Sequence, residues 1–474
     1  MRKQLIISFL FLVSAQLMAQ QNFIHSYGFY GYNQGVEIMA HTNGYLVAGN
    51  TSYPGGNTQV YLVKIDTDGQ VCWEHAFYTH AITHINQATI ISPDSILMSG
   101  MQYVDQTSEY DPLIALVDSS GGILWDTTLS QKGWQDITAH HRHHHSLLFA
   151  STSVTDSLNH TQVKLTKLNY QTKTFTHEHI FTDTLLQKIN SLDMIGDSII
   201  IAAGTAQHNS LNYSTAKVMM LDTGFSLIRD TIFIDTAENQ ILAIKYTDPE
   251  IITAGYLEIT GKKKQEWIVR LHPDQMTFHS KLGGGAEDDM LTDIAVTKHG
   301  YLFFTGTTES FGGGKKDIRY SIHDQYGNWK NSGNYGDLDN ETGHSIITDD
   351  SSRMIICGTS ESWGPNFSNI VVIRTDSANM NVPYTNHFTD AAYPSKHHQW
   401  KIYPNPVKEK VYITLPPTRG NQPQHLVLMN MQGEIVRQTT TKQSNIHFSL
   451  NNLRAGIYII HLQGTALSAK IIKQ

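Results

Sequence analysis

The chain has 474 residues, more than one ordinary domain needs, and carries a formal net charge of −8 without long charged runs. That balance excludes the basic footprint of a nucleic-acid-binding protein. Charged residues make up only 16% of the chain; Ser, Thr, Asn, Gly and Tyr take their place, which favours strands and turns and predicts an all-β protein.

At the N-terminus, Met1-Arg2-Lys3 precedes an apolar run over 5–15 and then small residues. This reads as a secretory signal over 1–19, cut after Ala19, with Ala15 as the alternative. The run is too short to span a bilayer comfortably. No Cys lies near the cut and no later run is apolar enough to cross, so the mature chain is expected to carry no transmembrane segment. The two cysteines, Cys72 and Cys357, fall inside predicted strands at different depths of their repeats and are expected to stay unbridged.

From residue 44 onward one pattern recurs. An apolar strand runs into a small residue at Gly49, Gly100, Ser151, Gly204, Gly255, Gly306 and Gly358, with successive spacings of 51, 51, 53, 51, 51 and 52. A second strand follows 17 or 18 residues later, ending at Asp66, Asp118, Asn169, Asp222, His272, His323 and Asp376. A tight turn and a strand often bearing an aromatic come next, as at Trp73, Trp125 and Trp329. Four short strands per 50-odd residues, repeated seven times, predict a seven-bladed β-propeller over 22–382. Such a sheet cannot cover its own faces, so neighbouring blades must bury them and the ring must close. Residues 23–35 resemble the last strand of a repeat without its first three, and Pro383 interrupts a fourth strand in the seventh repeat. Phe23–Phe29 is therefore expected to complete the seventh blade. The blades resemble those of secreted bacterial propellers.

The candidate sites are few. Five histidines stand in 140–145 (His140, His141, His143, His144 and His145), a cluster able to hold Zn²⁺ or Cu²⁺. It aligns with the first hairpin turn of the other repeats, so a solvated tip with adventitious metal binding is the expectation and no metal site is assigned. The acidic stretches 283–293 and 336–343 offer oxygens for Ca²⁺ but match no Ca²⁺-binding loop, and they read as blade connections. No nucleophile elbow, zinc-protease motif or phosphate loop occurs, so no catalytic or cofactor-binding residue is assigned and the protein is not expected to be an enzyme. The loops between the second and third strands are the long ones. They carry Tyr53, Tyr103, Tyr110, Tyr213, Phe311, Trp363 and Phe367, an aromatic face suited to a glycan or protein ligand.

After a polar linker at 383–399, residues 400–474 break the repeat. Short alternating strands predict a small Ig-like β-sandwich. The segment opens with Ile402-Tyr403-Pro404-Asn405-Pro406. It continues through a turn ending at Gly433, then Leu453-Arg454-Ala455-Gly456-Ile457-Tyr458, and closes on Lys470-Ile471-Ile472-Lys473. In that order these motifs resemble the type A C-terminal sorting domain of the type IX secretion system of Bacteroidota; the polar loop after Pro416-Pro417 departs from it. The resemblance implies export through the periplasm and outer membrane to the cell surface or beyond. It implies as partners the type IX translocon and a sortase-like surface protease that removes the tail. The Asp-Ser and Asp-Thr pairs of the repeats also resemble the O-glycosylation motif of such exported proteins. The function expected is a surface-attached or secreted binding or adhesion propeller. The alternatives are a secreted carbohydrate- or peptide-active enzyme on the same ring, or a structural surface component.

Overall fold

The computed structural model describes residues 22–375 and 401–474, apart from 53–55, 78–81, 105–108, 120, 130–134, 155–160, 182–185, 208–212, 234–236, 260, 415–423, 431–434, 444 and 463–467. The expected signal segment, the linker at 383–399, Tyr53 and Gly433 lie outside the described residues. Within them there is no helix, hence none long and apolar enough to cross a membrane.

Seven four-stranded antiparallel sheets form a propeller. Blade 1 runs from its inner strand Tyr32–His41 through Gly44–Ser52 and Thr58–Asp66 to its outer strand Val71–Phe77. The inner strands of blades 2 to 7 are Thr83–Ser92, Gln135–His143, Leu186–Ile195, Asn239–Thr247, Asp289–Val296 and Glu341–Thr348. Each packs on the next, and the last packs on the first, so the ring is closed. The chain's own start completes it: Phe23–Tyr27 pairs antiparallel with Asn369–Thr375, with Ile24 opposite Ile373, and becomes the outer strand of blade 7. All five of its residues are buried, and the Tyr27 hydroxyl donates to Gly69 O of blade 1 at 2.7 Å. This is the latch the sequence led us to expect.

The repeated glycine has a physical cause. Every inner strand bulges at one equivalent residue: Val36, Asn86, Thr138, Asn190, Leu242, Thr292 and His344. Just before the bulge the inner strand presses a carbonyl onto the second strand. A Cβ on Gly49, Gly100, Gly204, Gly255, Gly306 or Gly358 would sit 1.9–2.4 Å from that oxygen. The bulged side chains then tie the blades together. Asn86 Nδ2 donates to Ile137 O, Thr138 Oγ1 to Ile189 O, Asn190 Nδ2 to Ile241 O and Thr292 Oγ1 to Gly343 O, at 2.6–2.9 Å. Each of these bonds gives a side-chain donor to the carbonyl that stands just before the bulge of the next blade.

Residues 401–474 form a separate small unit. A sheet of Lys401–Tyr403, Lys410–Thr414 and Asn445–Ser449 faces one of Ile435–Thr441, Gln424–Asn430, Gly456–Leu462 and Ser468–Lys473. Val411, Ile413, Leu426, Leu428, Phe448, Ile460 and Ile471 fill the space between them. Asn405 binds both ends of this unit: its Nδ2 donates to Lys470 O at 2.7 Å and its Oδ1 accepts from Ile472 N at 2.8 Å. Tyr403 stacks on Tyr412, while Tyr458 is buried and its hydroxyl donates to Arg454 O. Leu453 packs against the core from its edge.

Candidate binding face

In this topology the loops joining second to third strands and the connections between blades emerge on one face. The sequence fixes that face by a recurring polar pin. In blades 1, 6 and 7 the first residue of the inner strand, or its near neighbour, is buried and accepts from the backbone four residues earlier and from a hydroxyl 18 or 19 residues later. In blade 6, Asp289 takes Gly285 N at 2.7 Å, the Thr308 hydroxyl and the Ser310 hydroxyl. In blade 7, Glu341 takes Asp337 N at 2.9 Å and Ser360 Oγ at 2.8 Å. In blade 1, Asn33 takes Phe29 N at 3.0 Å and Thr51 Oγ1 at 2.8 Å. The acidic stretches of the sequence thus spend these carboxylates on protein donors. In blades 6 and 7 the connection also accepts from the blade's own loop between second and third strands: Glu309 N donates to Asp288 O at 2.8 Å and Glu361 N to Asn340 O at 2.9 Å.

On this pinned surface the aromatic residues divide. Phe367 is 51% exposed and stacks on Tyr32, itself 54% exposed, with ring centroids 5.1 Å apart and planes at 20°. Tyr30 flanks Phe367 at 6.1 Å. The shelf stands on the seam where the ring closes. Asn33 Nδ2 donates to Phe29 O and to Ser368 O, and Phe367 N donates to Gly31 O, so blades 7 and 1 hold it jointly. Phe311 is exposed on blade 6, with the Arg319 guanidinium 4.8 Å from its ring centroid.

Two expectations are corrected. Trp363 is only 7% exposed and lies in the core shared by blades 6 and 7. The loop turns inward there because Trp363 N donates to Ser360 Oγ, itself bound to Glu341. Tyr103 and Tyr110 are strand residues rather than loop residues: they face each other in register, half-buried and edge-on at 5.3 Å. Tyr213 is half-buried. Tyr30 lies in the first connection and Tyr32 opens the inner strand that follows it, so neither stands in a loop between second and third strands, where the sequence pointed.

A second constellation lines the ring's centre, beyond the reach of sequence reasoning. Ser345 Oγ donates to Glu37 Oε1 at 2.9 Å. Burial, then the neighbouring Asp293 carboxylate, holds the Glu37 carboxyl well above its usual range. Burial also raises Asp293, against the pull of the Ile346 and Ile294 N–H groups it accepts from. Further along, Asp193 Oδ1 lies 3.5 Å from His141 Nδ1 and 3.9 Å from Lys245 Nζ, while Asp193 Oδ2 accepts from Tyr246 N at 2.7 Å. These residues come from blades 1, 3, 4, 5, 6 and 7, so no local motif announces them.

The five-histidine run is also parted by the structure. The strand extends through His143, so only 144–145 form the tip. His140 is buried, with its Nδ1 2.6 Å from Ser99 Oγ and its pKa pushed down to about 3 by burial. His141 faces the ring's centre, and His143 and His144 meet Asp197 of blade 4.

Comparison with known proteins assigns the tail. The family model described as the secretion system C-terminal sorting domain matches residues 401–474. Those residues are a type IX sorting domain. The chain is accordingly an exported propeller protein, sent to the cell surface or released. No curated protein sequence matches it. Among solved structures it is similar to puromycin hydrolase, at a TM-score of 0.51 and 12% identity over 81% of this chain and 58% of that one. It is also similar to PorZ of Porphyromonas gingivalis, described as an essential surface component of the type IX secretion system. That match has a TM-score of 0.44 and 11% identity over 92% of this chain and 59% of that one. The chain thus spans less than two thirds of the length of these structures, and at such identities the likeness is one of fold alone.

Proposed function

We propose that the propeller is a binding or adhesion module whose ligand, a glycan or a protein, sits on the loop face at the seam of blades 7 and 1. The stacked and exposed Tyr32–Phe367 pair carries this reading. Two aromatic faces on a hydrogen-bonded backbone offer apolar area at little ordering cost, as planar sugar faces and protein side chains require. The sorting domain engages the type IX translocon; residues 1–19 serve as the signal, 383–399 as the linker, and a sortase-like protease cuts there. Screening the full chain on glycan and surface-protein arrays, beside the Tyr32→Ala/Phe367→Ala variant, tests the reading. Retained binding in that variant overturns the seam as the site. Deleting 401–474 is expected to hold the protein in the periplasm.

The central Glu37, Asp293, Asp193, His141 and Lys245 favour a second reading, hydrolysis of a carbohydrate or peptide at the ring's centre. Weighing against it, Asp293 and Asp193 already accept backbone N–H groups of the next blade, as the structural Gln87 and Ser191 do. Turnover abolished by Glu37→Gln without loss of ligand binding would establish this second reading.

A further inference from the structure

At the hairpin face, opposite the aromatic shelf, the tips of neighbouring blades touch in a repeated way. His41 Nε2 lies 2.8 Å from Pro93 O between blades 1 and 2. Lys298 Nζ donates to Asp350 O at 2.6 Å between blades 6 and 7. One side-chain nitrogen and one backbone oxygen suffice at those seams.

The seam of blades 3 and 4 is built differently. His143 Nε2 and His144 Nε2 both approach a single carboxylate oxygen, Asp197 Oδ1, at 2.9 and 3.1 Å. The three atoms lie within 4.8 Å of one another, and among the described residues no other group of three such side chains converges in this way. Two imidazoles are more than one oxygen needs for a hydrogen bond. They are what a metal ion needs, because each Nε2 offers a lone pair beside the carboxylate oxygen when its ring is neutral with the proton on Nδ1.

The geometry fits. Zinc bonds of about 2.0–2.2 Å to nitrogen and oxygen place tetrahedral ligand atoms about 3.3–3.6 Å apart, a few tenths beyond the two distances seen. The arrangement is also held from behind. Tyr170 is buried, its hydroxyl donates to His144 O at 2.5 Å and its N donates to His145 O at 3.3 Å, which fixes the tip. Asp197 comes from the next blade, at the turn after Leu186–Ile195, so an ion there would join the two blades.

We infer that His143, His144 and Asp197 form a divalent transition-metal site, with at least one coordination position left to solvent. Two imidazoles and one carboxylate select Zn²⁺ or Cu²⁺ over Ca²⁺ and Mg²⁺, which take all-oxygen sets. The sequence could not show this: the histidine run offers five candidates, and the oxygen that picks two of them stands more than 50 residues away on another blade.

The test is equilibrium dialysis of the untagged full chain against Zn²⁺, and separately Cu²⁺, with Mg²⁺ as the control. One equivalent is expected to bind. His143→Ala, His144→Ala and Asp197→Ala should each weaken it by about tenfold or more, and His145→Ala, which removes an exposed imidazole beside the site, should leave it unchanged. Equal loss in the His145 variant, or none in the Asp197 variant, means adventitious capture by a histidine-rich tip and overturns the site; so does absence of binding by the parent. A measurement on the unmutated protein guards against misfolded variants. Its imidazole ¹⁵N resonances should move on Zn²⁺ addition for His143 and His144 only, and movement of His145 instead refutes the assignment.

Discussion

Replacing Gly255 by Ala tests the bulged inner strand directly. The added Cβ would lie 1.9 Å from Gln240 O and 3.0 Å from Ile241 Cα, where real Cβ atoms keep beyond 3.0 Å. The obstacle is backbone, so no side chain can swing aside. The inner and second strands of blade 5 must part by about 1 Å, an overpacking that costs about 3 kcal/mol, the upper end of the usual range. In a ring of this size that lowers Tm by roughly 5 °C. The assay is thermal unfolding followed by circular dichroism, with Ser151→Ala as the internal comparison. Blade 3 already holds a side chain at that position, opposite Ile137, so Ser151→Ala should stay within about 0.5 kcal/mol of the parent. A Gly255→Ala protein melting within roughly 1 °C of the parent would refute the explanation of the repeated glycine.

Three further outcomes are expected. Ile24 is buried among Ile318, Val371 and Ile373, so Ile24→Ala should cost about 3 kcal/mol by urea titration; a cost below about 0.5 kcal/mol would mean that the N-terminal strand frays and the latch is not closed. Burial holds the His140 pKa at about 3, below its unfolded value, so the unfolded chain takes up the proton first as pH falls and stability present above about pH 6.5 is lost below it. Between pH 7.5 and pH 5.0 this residue should account for about 2 kcal/mol, which His140→Asn removes; equal acid losses in parent and variant contradict a neutral buried imidazole. Asp317 Oδ1 is buried without a hydrogen-bond partner, and burial followed by Glu341 raises its pKa to about 6. Equivalent positions in blades 5 and 7 hold the donors Gln265 and Asn369, so Asp317→Asn should melt higher than the parent at pH 7.5. That gain should shrink as pH falls through about 6 and vanish only below about pH 3.8, where the carboxyl is protonated in the folded and unfolded chain alike, and an Asn variant that is less stable at pH 7.5 contradicts the reading.

The sequence by itself determined the ring. Glycines spaced 51 to 53 residues apart report a constraint inside one blade, the carbonyl pressed on the second strand, and a local steric rule repeats wherever its strand pair repeats. The latch was legible for the same reason, since Phe23–Tyr27 is a strand without the hairpin that should precede it. So was the tail, whose Asn405 and Lys470 motifs are the two ends of one small hydrogen-bonded unit. The polar pin could have been read too, as an acid or amide followed by a hydroxyl 18 or 19 residues on. Tertiary structure alone decided the sites. Trp363 and Phe367 stand four residues apart in one loop, and only the inward turn at Ser360 buries the first and leaves the second on the surface. Glu37 meets Asp293, and His143 and His144 meet Asp197, across blade boundaries. Contacts of that kind depend on the angle at which one sheet packs on the next, and no period in the chain encodes it.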